Sequence, residues 1–244
     1  MLLGVGCTAA EQSTHTQSPA ESSDRAAAQR SAAMAEGGRY PIIPWPRRLE
    51  PREGTFALDE ETRILVSDPE NETARAPAEA LATLVRNATV FPMRVARTTA
   101  PKGPVSEQPE NTIAFILTDG DAPSESDASR PSDARLTNTP GDGEEDGRYE
   151  LTVTPRAVAV RAPTPKGLFY GMQTLRQLLP PQVERGLGYD DERIEWALPA
   201  VRIEDAPRFP YRGMHLDVGR HVFPVSFIKT YIDLLALHKL DTFH

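Results

Sequence analysis

The chain has 244 residues, of which 39% are hydrophobic, and carries a formal net charge of −8. This length holds one large domain or two small ones, each with a hydrophobic core. No apolar run in the sequence approaches the roughly eighteen residues of a membrane span, and the acidic balance disfavours nucleic acid as a partner. A single cysteine, Cys7, excludes an internal disulfide framework.

The first 39 residues carry few of the large apolar side chains that a folded core needs, and almost none after Cys7. Met1 to Cys7 resembles the tail of a bacterial lipoprotein signal, although its apolar run is short and no basic residue precedes it. Residues 8–39 are rich in Ala, Ser, Gln and Glu and cannot offset the entropy of ordering. The sequence therefore predicts an exported protein, periplasmic or extracellular, with a disordered tether and Cys7 as a candidate lipid anchor at a membrane. The alternative is a frayed terminus with an incidental cysteine.

Residues 40–205 carry the pattern of a small domain that begins with an extended, proline-rich segment at 40–46. Leu81, Leu84 and Val85 share one helical face. The elements predicted in its first half are strands at 54–58, 62–66 and 111–117, and a helix that opens at Pro77 and ends near Asn87.

The second half of this region combines a hairpin with a second helix. Apolar and polar residues alternate on both sides of Thr154-Pro155-Arg156, and an apolar stripe then recurs at helical spacing before Pro180. The predicted elements are strands at 149–153, 157–162 and 198–203, and a helix with Leu168, Met172, Leu175 and Leu179 on one face. Because each helix has a single apolar stripe, we expect an α/β domain of the α+β type, with a mainly antiparallel sheet and both helices on one face.

Two features of this domain have a functional and a structural interpretation. Residues 118–147 are rich in Asp, Ser, Pro and Gly, and we interpret them as a solvated insertion. A calcium loop built on Asp119, Asp121 and Asp127 is disfavoured, because the spacing lacks the Gly and terminal Glu of the helix-loop-helix motif. Trp196 suits packing at a domain seam better than stacking on a sugar.

The last stretch, 206–244, has the order strand, helix, strand. Met214 to Val218 is predicted as a short buried strand, and Pro224 opens a helix that runs to Leu240. Its apolar residues Ile228, Tyr231, Ile232 and Leu235 recur every three or four positions. This is the repeating unit of a parallel (β/α)8 barrel, and two strands with one helix cannot close a barrel of roughly 250 residues. We therefore expect the first β-α-β piece of a truncated TIM barrel.

Three segments carry a family resemblance. Residues 205–221 (DAPRFPYRGMHLDVGRH) and 234–244 (LLALHKLDTFH) are similar to the start of the catalytic barrel of family 20 glycoside hydrolases, the β-N-acetylhexosaminidases. Residues 167–179 (GLFYGMQTLRQLL) resemble the last helix of the family's smaller N-terminal domain. The resemblance covers about residues 40–244, and it implies a division into a start and tether (1–39), a small domain (40–205) and a truncated barrel (206–244).

The resemblance also implies a chemistry. Family 20 hydrolysis is substrate-assisted: the 2-acetamido oxygen of a terminal non-reducing N-acetylhexosamine attacks C1, and configuration is retained. An adjacent Asp-Glu pair orients the acetamido group and supplies the proton, and the resemblance places that pair beyond His244. No catalytic residue is therefore assigned here, no cofactor is expected, and the partners are glycans that contain N-acetylglucosamine or N-acetylgalactosamine. We expect the chain alone to be inactive.

Arg220 is the one candidate substrate-binding residue. It follows the first barrel strand at the face where barrel active sites are built, and its planar guanidinium can donate paired hydrogen bonds to vicinal sugar hydroxyls. The arginine of this motif binds hydroxyls of the terminal sugar in the family, where alanine is common at the position of Gly219. The structural alternative is an ion pair with Asp217.

Four histidines near the end of the chain raise a metal hypothesis. His215, His221, His238 and His244 show no pair at the one-turn helical spacing of a zinc motif. We therefore expect no metal. A second functional class stays open, in which the small domain is a non-catalytic scaffold or carbohydrate-binding module.

Overall fold

The computed structural model describes residues 40–118, 147–186 and 194–244. Nine strands and three α-helices lie in these ranges. In order they are β1 (Arg48–Ala57), β2 (Arg63–Val66), α1 (Glu72–Ala88), β3 (Arg94–Thr99), β4 (Thr112–Leu117), β5 (Tyr149–Val153), β6 (Ala157–Ala162), α2 (Pro165–Leu178), β7 (Ala197–Asp205), β8 (Gly213–Met214), α3 (Val225–Leu237) and β9 (Thr242–Phe243).

Seven strands form one mixed sheet in the order β1-β7-β5-β6-β4-β2-β3. The predicted hairpin is confirmed, with Val153 of β5 opposite Val158 of β6 in an antiparallel pair. The expectation of a mainly antiparallel sheet needs correction, because β3, β2, β4 and β6 pair in parallel while β1, β7, β5 and β6 pair antiparallel. The parallel pairing of β2 with β3 follows from the crossover through α1, which lies between them in the chain.

Both helices of the small domain lie on one face of the sheet, as predicted. Leu81 and Val85 of α1 and Leu168 and Leu175 of α2 are fully buried in a single large hydrophobic cluster with residues of the sheet. Burial of a side chain of this size contributes about 1.5–3 kcal/mol. The opposite face carries a smaller cluster around Leu65 and Ile116.

Helix α1 begins earlier than the sequence predicted. Asn71 caps it by accepting a hydrogen bond from the Ala74 amide, so Pro77 lies inside the helix rather than at its first position. Proline at this position cannot donate to the Thr73 carbonyl and its ring crowds that carbonyl, a cost that the Asn71 cap and the burial of Pro77 offset in part. Strand β3 was missed, since the apolar residues of Arg94–Thr99, Val95 and Ala96, are adjacent and show no alternation.

The end of the chain forms a parallel β-α-β unit, which confirms the predicted order. The strand predicted over 214–218 is reduced to Gly213–Met214, and Met214 is 45% exposed, so the expectation of a buried strand was wrong. Among the described residues β8 pairs with β9 alone, so one side of its ladder is open. Helix α3 buries only Leu235 and leaves most of its apolar side chains accessible.

Helix α3 ends three residues before the predicted position at Leu240. Lys239 adopts a left-handed backbone with φ of 59°. The Leu240 amide donates to the Leu235 carbonyl (2.9 Å) and the Lys239 amide donates to the Ala236 carbonyl (3.0 Å), which is a Schellman termination. In the described ranges, no helix has the length and apolar character to cross a membrane.

Candidate functional site

Arg220 lies in the loop that follows the carboxyl end of β8. Its side chain is 86% exposed, and its Nη1 lies 3.2 Å from Oδ2 of Asp217. The other carboxylate oxygen of Asp217 accepts hydrogen bonds from the amides of Gly219 (3.0 Å) and Arg220 (3.2 Å). The ion pair considered as the structural alternative is therefore present, and the same Asp217 also organises the loop that carries the guanidinium.

The Asp217 pair leaves most N–H donors of Arg220 available for other partners. A guanidinium has five N–H donors, and the pair engages one terminal nitrogen. An exposed pair of this kind contributes about 0–1 kcal/mol, so the fold gains little from it. The arrangement can present a planar donor group at the carboxyl end of the first barrel strand, where barrel active sites are built.

Two of the four candidate histidines meet at the same end of the strands. His215 follows β8 and His244 follows β9, and their Nδ1 atoms are 2.8 Å apart, so one ring donates and the other accepts. His238 instead lies at the end of α3 with Nδ1 2.9 Å from the Leu234 carbonyl. Within the described ranges, no group of three or more potential ligands could hold a metal ion.

A buried cation lies between the small domain and the barrel unit. Lys239 Nζ donates to Tyr149 Oη (2.8 Å) and to Oδ2 of Asp205 (3.1 Å). Tyr149 opens β5 and faces Asp205 directly across the β5–β7 pair, so their side chains share one face of the sheet. Thr174 of α2 completes the group, with Oγ1 2.6 Å from Tyr149 Oη.

Burial controls the ionisation of this group. Desolvation lowers the pKa of Lys239, and the Asp205 carboxylate opposes this effect. Desolvation also raises the pKa of Tyr149 well above its ordinary value, and the charge of Asp205 acts in the same direction. Burial and the charge of Asp205 thus both favour the protonated form of the Tyr149 phenol.

A second charged pair lies beside the first. Arg212 donates to Tyr170 Oη (2.6 Å) and to the Lys239 carbonyl (3.1 Å), and its Nη2 lies 2.9 Å from Oδ2 of Asp241. The guanidinium thus links the residue before β8 to the residue before β9 and to α2 of the small domain. We call Tyr149, Tyr170, Thr174, Asp205, Arg212, Lys239 and Asp241 the seam network.

A cavity of about 780 Å³ borders the seam network. Its walls include Trp45 and Phe209, together with Tyr231 of α3 and the charged groups of Arg212 and Lys239. Arg220 is not among its lining residues. The cavity therefore belongs to the junction of the two parts of the chain and not to the loop that follows β8.

The seam network was missed at the sequence level. Its signals were weak: Lys239 interrupts an apolar run at the end of α3, and Arg212 stands among aromatic residues. Trp196, for which we preferred a domain seam, packs against the large hydrophobic cluster, and Trp45 lines the cavity instead. Cys7 and the calcium candidates Asp119, Asp121 and Asp127 lie outside the described residues.

Comparison with known families identifies both parts of the chain. The family model "Glycosyl hydrolase family 20, domain 2" matches residues 39–206, and the model "Glycosyl hydrolase family 20, catalytic domain" matches residues 209–244. The chain belongs to glycosyl hydrolase family 20.

Curated relatives agree with this assignment. A β-hexosaminidase of Porphyromonas gingivalis is 32% identical over 203 residues, which cover 83% of this chain and 22% of the relative. A β-hexosaminidase of Vibrio furnissii is 36% identical over 100 residues, or 41% of this chain and 15% of the relative. The chain thus spans about a fifth of the length of these relatives.

Solved structures show the same relationship. The N-acetyl-β-hexosaminidase of Streptomyces plicatus in complex with Thio-NAglucal has a TM-score of 0.63 at 30% identity, with 85% of this chain and 34% of that chain covered. The GH20 β-N-acetylhexosaminidase of Streptomyces coelicolor has a TM-score of 0.61 at 31% identity, with 84% and 34% covered. The expected class, a small α/β domain followed by the start of the catalytic barrel, is confirmed, with a mixed sheet in place of the mainly antiparallel one.

Proposed function

We propose that this chain provides the small domain, 40–205, and the first barrel unit, 206–244, of a β-N-acetylhexosaminidase. The enzyme removes terminal non-reducing N-acetylglucosamine or N-acetylgalactosamine from glycans by substrate-assisted hydrolysis with retention. The relatives named as β-hexosaminidases support this, and a variant of the Streptomyces plicatus enzyme was solved with the product GlcNAc. Family membership across both parts of the chain is the observation that carries the proposal.

Arg220 has the role of a substrate-binding residue in this proposal. Its exposed guanidinium stands after the first barrel strand on a loop ordered by Asp217. Two parallel N–H donors match two vicinal hydroxyls of a pyranose, and a lysine ammonium lacks that fork. The group binds and orients the sugar while the acetamido oxygen of the substrate supplies the nucleophile.

The 244 residues alone are not expected to hydrolyse a glycoside. We assign no carboxylate of this chain to proton donation, because the resemblance places the Asp-Glu pair on a later strand. The chain therefore supplies binding and orientation, and the proton comes from the remainder of the barrel. Desolvation of the sugar pocket needs those later units as well.

A chimera tests the proposal. Residues 40–244 would replace the aligned part of the Streptomyces plicatus enzyme, and activity would be measured on chromogenic β-glycosides of N-acetylglucosamine, N-acetylgalactosamine and glucose. We expect hydrolysis of the two N-acetylhexosaminides and at least ~100-fold lower activity on the glucoside, which lacks the acetamido nucleophile.

The control is the same replacement with residues 40–205 alone, which leaves the host's own first barrel unit in place. A folded chimera that is inactive with residues 206–244 but active without them would contradict the proposal for the barrel unit. Inactivity of both folded chimeras, combined with binding of N-acetylglucosamine oligomers by the isolated chain, would favour the carbohydrate-binding module.

We also propose that the protein is exported, periplasmic or extracellular, with a lipid on Cys7. The support is the apolar stretch before the cysteine and the polar composition of residues 8–39. Expression in a bacterial host with labelled palmitate should label the wild-type chain and not a Cys7→Ser variant. Label on neither chain would contradict lipidation, and cell fractionation of the same cultures tests export separately.

A further inference from the structure

Lys239 occupies a backbone position that favours glycine. Its φ of 59° closes the Schellman motif at the end of α3. Glycine and asparagine are the usual residues there, because a Cβ disfavours the left-handed conformation. A lysine at this position works against the local backbone preference, so we expect its side chain to make a contact that offsets this cost.

The side chain of Lys239 is directed into the protein rather than into solvent. It is 6% exposed, and its ammonium contacts Tyr149 and Asp205 of the small domain and lies 5.1 Å from the centre of the Tyr149 ring. A buried ammonium is costly unless charge and hydrogen bonds compensate it. Here Asp205 supplies the charge and the Tyr149 hydroxyl supplies an acceptor.

The backbone of the same residue is linked to the barrel strands. The Lys239 carbonyl accepts from Arg212 Nε, and Arg212 in turn pairs with Asp241. Arg212 immediately precedes β8, and Asp241 immediately precedes β9. The side chain of Lys239 thus contacts the sheet, and its main chain contacts the residues that precede both barrel strands.

We propose that Lys239 is a positioning residue that fixes the first barrel unit, β8-α3-β9, on the small domain through its buried pair with Asp205. This attachment stands independently of any hydrolytic activity. Its consequence for the orientation of the loop that carries Arg220 rests on the function proposed above.

Substitution of Lys239 by glycine separates this proposal from a purely local role in helix termination. If Lys239 only ends the helix, Lys239→Gly relieves the backbone and leaves or raises the melting temperature. If the side chain attaches the unit, Lys239→Gly lowers the melting temperature despite the better backbone. The sign of the shift therefore distinguishes the two roles.

Native-state hydrogen exchange shows which part of the protein loses stability when Lys239 is substituted. The reporters are the amides of Leu216 and His244, which extend the β8–β9 ladder by donating to the carbonyls of His244 and Met214. In Lys239→Met we expect these amides to exchange at least ~10-fold faster and to lose more protection than the amides of β4 and β6. Lys229→Met, the same change at an exposed position of α3, should leave both groups unchanged.

Fluorescence and a second variant give an independent measure. In a Trp196→Phe background Trp45, which lines the cavity at the seam, becomes the reporter, and Lys239→Met should shift its emission to longer wavelength. Tyr149→Phe removes the acceptor hydroxyl. In the double variant, the loss of protection at the Leu216 and His244 amides should be smaller than the sum of the losses in Tyr149→Phe and Lys239→Met.

Three results would overturn the proposal. The first is an unchanged or higher melting temperature in Lys239→Gly. The second is an equal loss of amide protection in β4, β6 and the barrel unit, seen in both Lys239→Met and Tyr149→Phe. The third is full additivity of the changes in protection that these two variants cause. None of these readouts uses a glycoside, so failure of the proposed function and failure of this attachment are distinguishable.

Discussion

The two basic residues singled out here lie in opposite environments. Lys239 is buried against Asp205, whereas Arg220 is exposed beside Asp217. Removal of one partner from a buried pair costs about 3–5 kcal/mol, because the other charge is left unpaired, while an exposed pair contributes about 0–1 kcal/mol. Stability should therefore depend on the first pair and function on the second residue.

Asp205 is the counter-charge of the buried Lys239 ammonium. Asp205→Asn leaves the Lys239 ammonium buried without its counter-charge, and we expect a loss of about 3 kcal/mol in the free energy of unfolding by urea denaturation. Asp217→Asn is the matched control and should lose less than about 1 kcal/mol. Equal losses in the two variants would show that burial of the pair has no energetic weight.

The stability of the protein should depend on pH through the carboxylate of Asp59. Asp59 accepts hydrogen bonds from Asn111 and from the amides of Glu61 and Thr62. Burial raises its pKa, but these hydrogen bonds outweigh burial and the pKa falls below its ordinary value of 3.8. A carboxylate with a lowered folded pKa stabilises the protein above its unfolded pKa, and that stabilisation is lost as pH falls through the folded value.

The corresponding measurement compares urea unfolding at several pH values. Asp59→Ala should lose about 1 kcal/mol at pH 7, and the difference from wild type should shrink as pH falls below 3.8. Glu60→Ala, at the exposed neighbouring position, is the control. A difference that stays constant from pH 7 to pH 3 would contradict the role of the ionised carboxylate.

At the scale of elements, α2 approaches the sheet through a glycine. An added Cβ at Gly171 would overlap Cγ1 of Val160 and contact the ring of Tyr149. In an exposed helix, Gly→Ala stabilises by roughly 0.5–1 kcal/mol. Here we expect Gly171→Ala to destabilise by about 1–3 kcal/mol in thermal or urea unfolding, because overpacking outweighs propensity.

The control for this substitution is Gly219→Ala. The nearest atom to an added Cβ at Gly219 is Oδ1 of Asp217 at 3.4 Å, which is an ordinary contact. We expect a change within about 0.5 kcal/mol. If Gly171→Ala stabilised the protein, the helix would have room to move away from β6, and the packing explanation would be wrong.

Elements with a strong apolar period were predictable from the sequence. The β5–β6 hairpin and α2 follow directly from alternation and from the stripe of Leu168 and Leu175. The start of α1 was not predictable, since Asn71 competes with Pro77 as a start signal. Strand β3 was not predictable either, since its apolar residues Val95 and Ala96 are adjacent and show no alternation. The early end of α3 depends on a lysine in a left-handed conformation, which no local propensity favours.

The candidate site was predictable only in part. The ion pair of Arg220 with Asp217 was predictable because the two residues lie three positions apart in sequence. The substrate-binding role of Arg220 rests on its place after the first barrel strand and on the family motif, and it stays a prediction. The seam network joins Tyr149, Asp205 and Lys239 across up to 90 residues, so it exists only once the sheet and the barrel unit are packed together. Sequence spacing carries no information about such a cluster.

At the scale of the whole molecule, the barrel unit exposes an apolar surface. Val222 is 96% exposed, and Val225, Ile232, Leu234 and Phe243 are each at least 40% exposed. Several exposed apolar side chains on one short unit promote association. We expect the 244-residue chain to form concentration-dependent oligomers in sedimentation experiments and to bind a hydrophobic dye.

The chain shortened to residues 40–205 provides the comparison. It lacks the barrel unit and should sediment with less self-association, although it loses the packing that the unit gives to the seam. If both chains associate equally, the apolar surface of the barrel unit is not the cause.

The proposed substrate-binding role of the Arg220 guanidinium is tested by comparing kcat/KM of the parent chimera with kcat/KM of chimeras that carry an Arg220 substitution. Arg220→Ala should lower kcat/KM on the chromogenic N-acetylglucosaminide by roughly 100-fold or more, since two hydrogen bonds from a charged donor are lost. Arg220→Lys should recover little of this activity, and Arg52→Ala should change nothing. If the Arg220→Ala chimera has the same kcat/KM as the parent chimera, the substrate-binding role of Arg220 is contradicted.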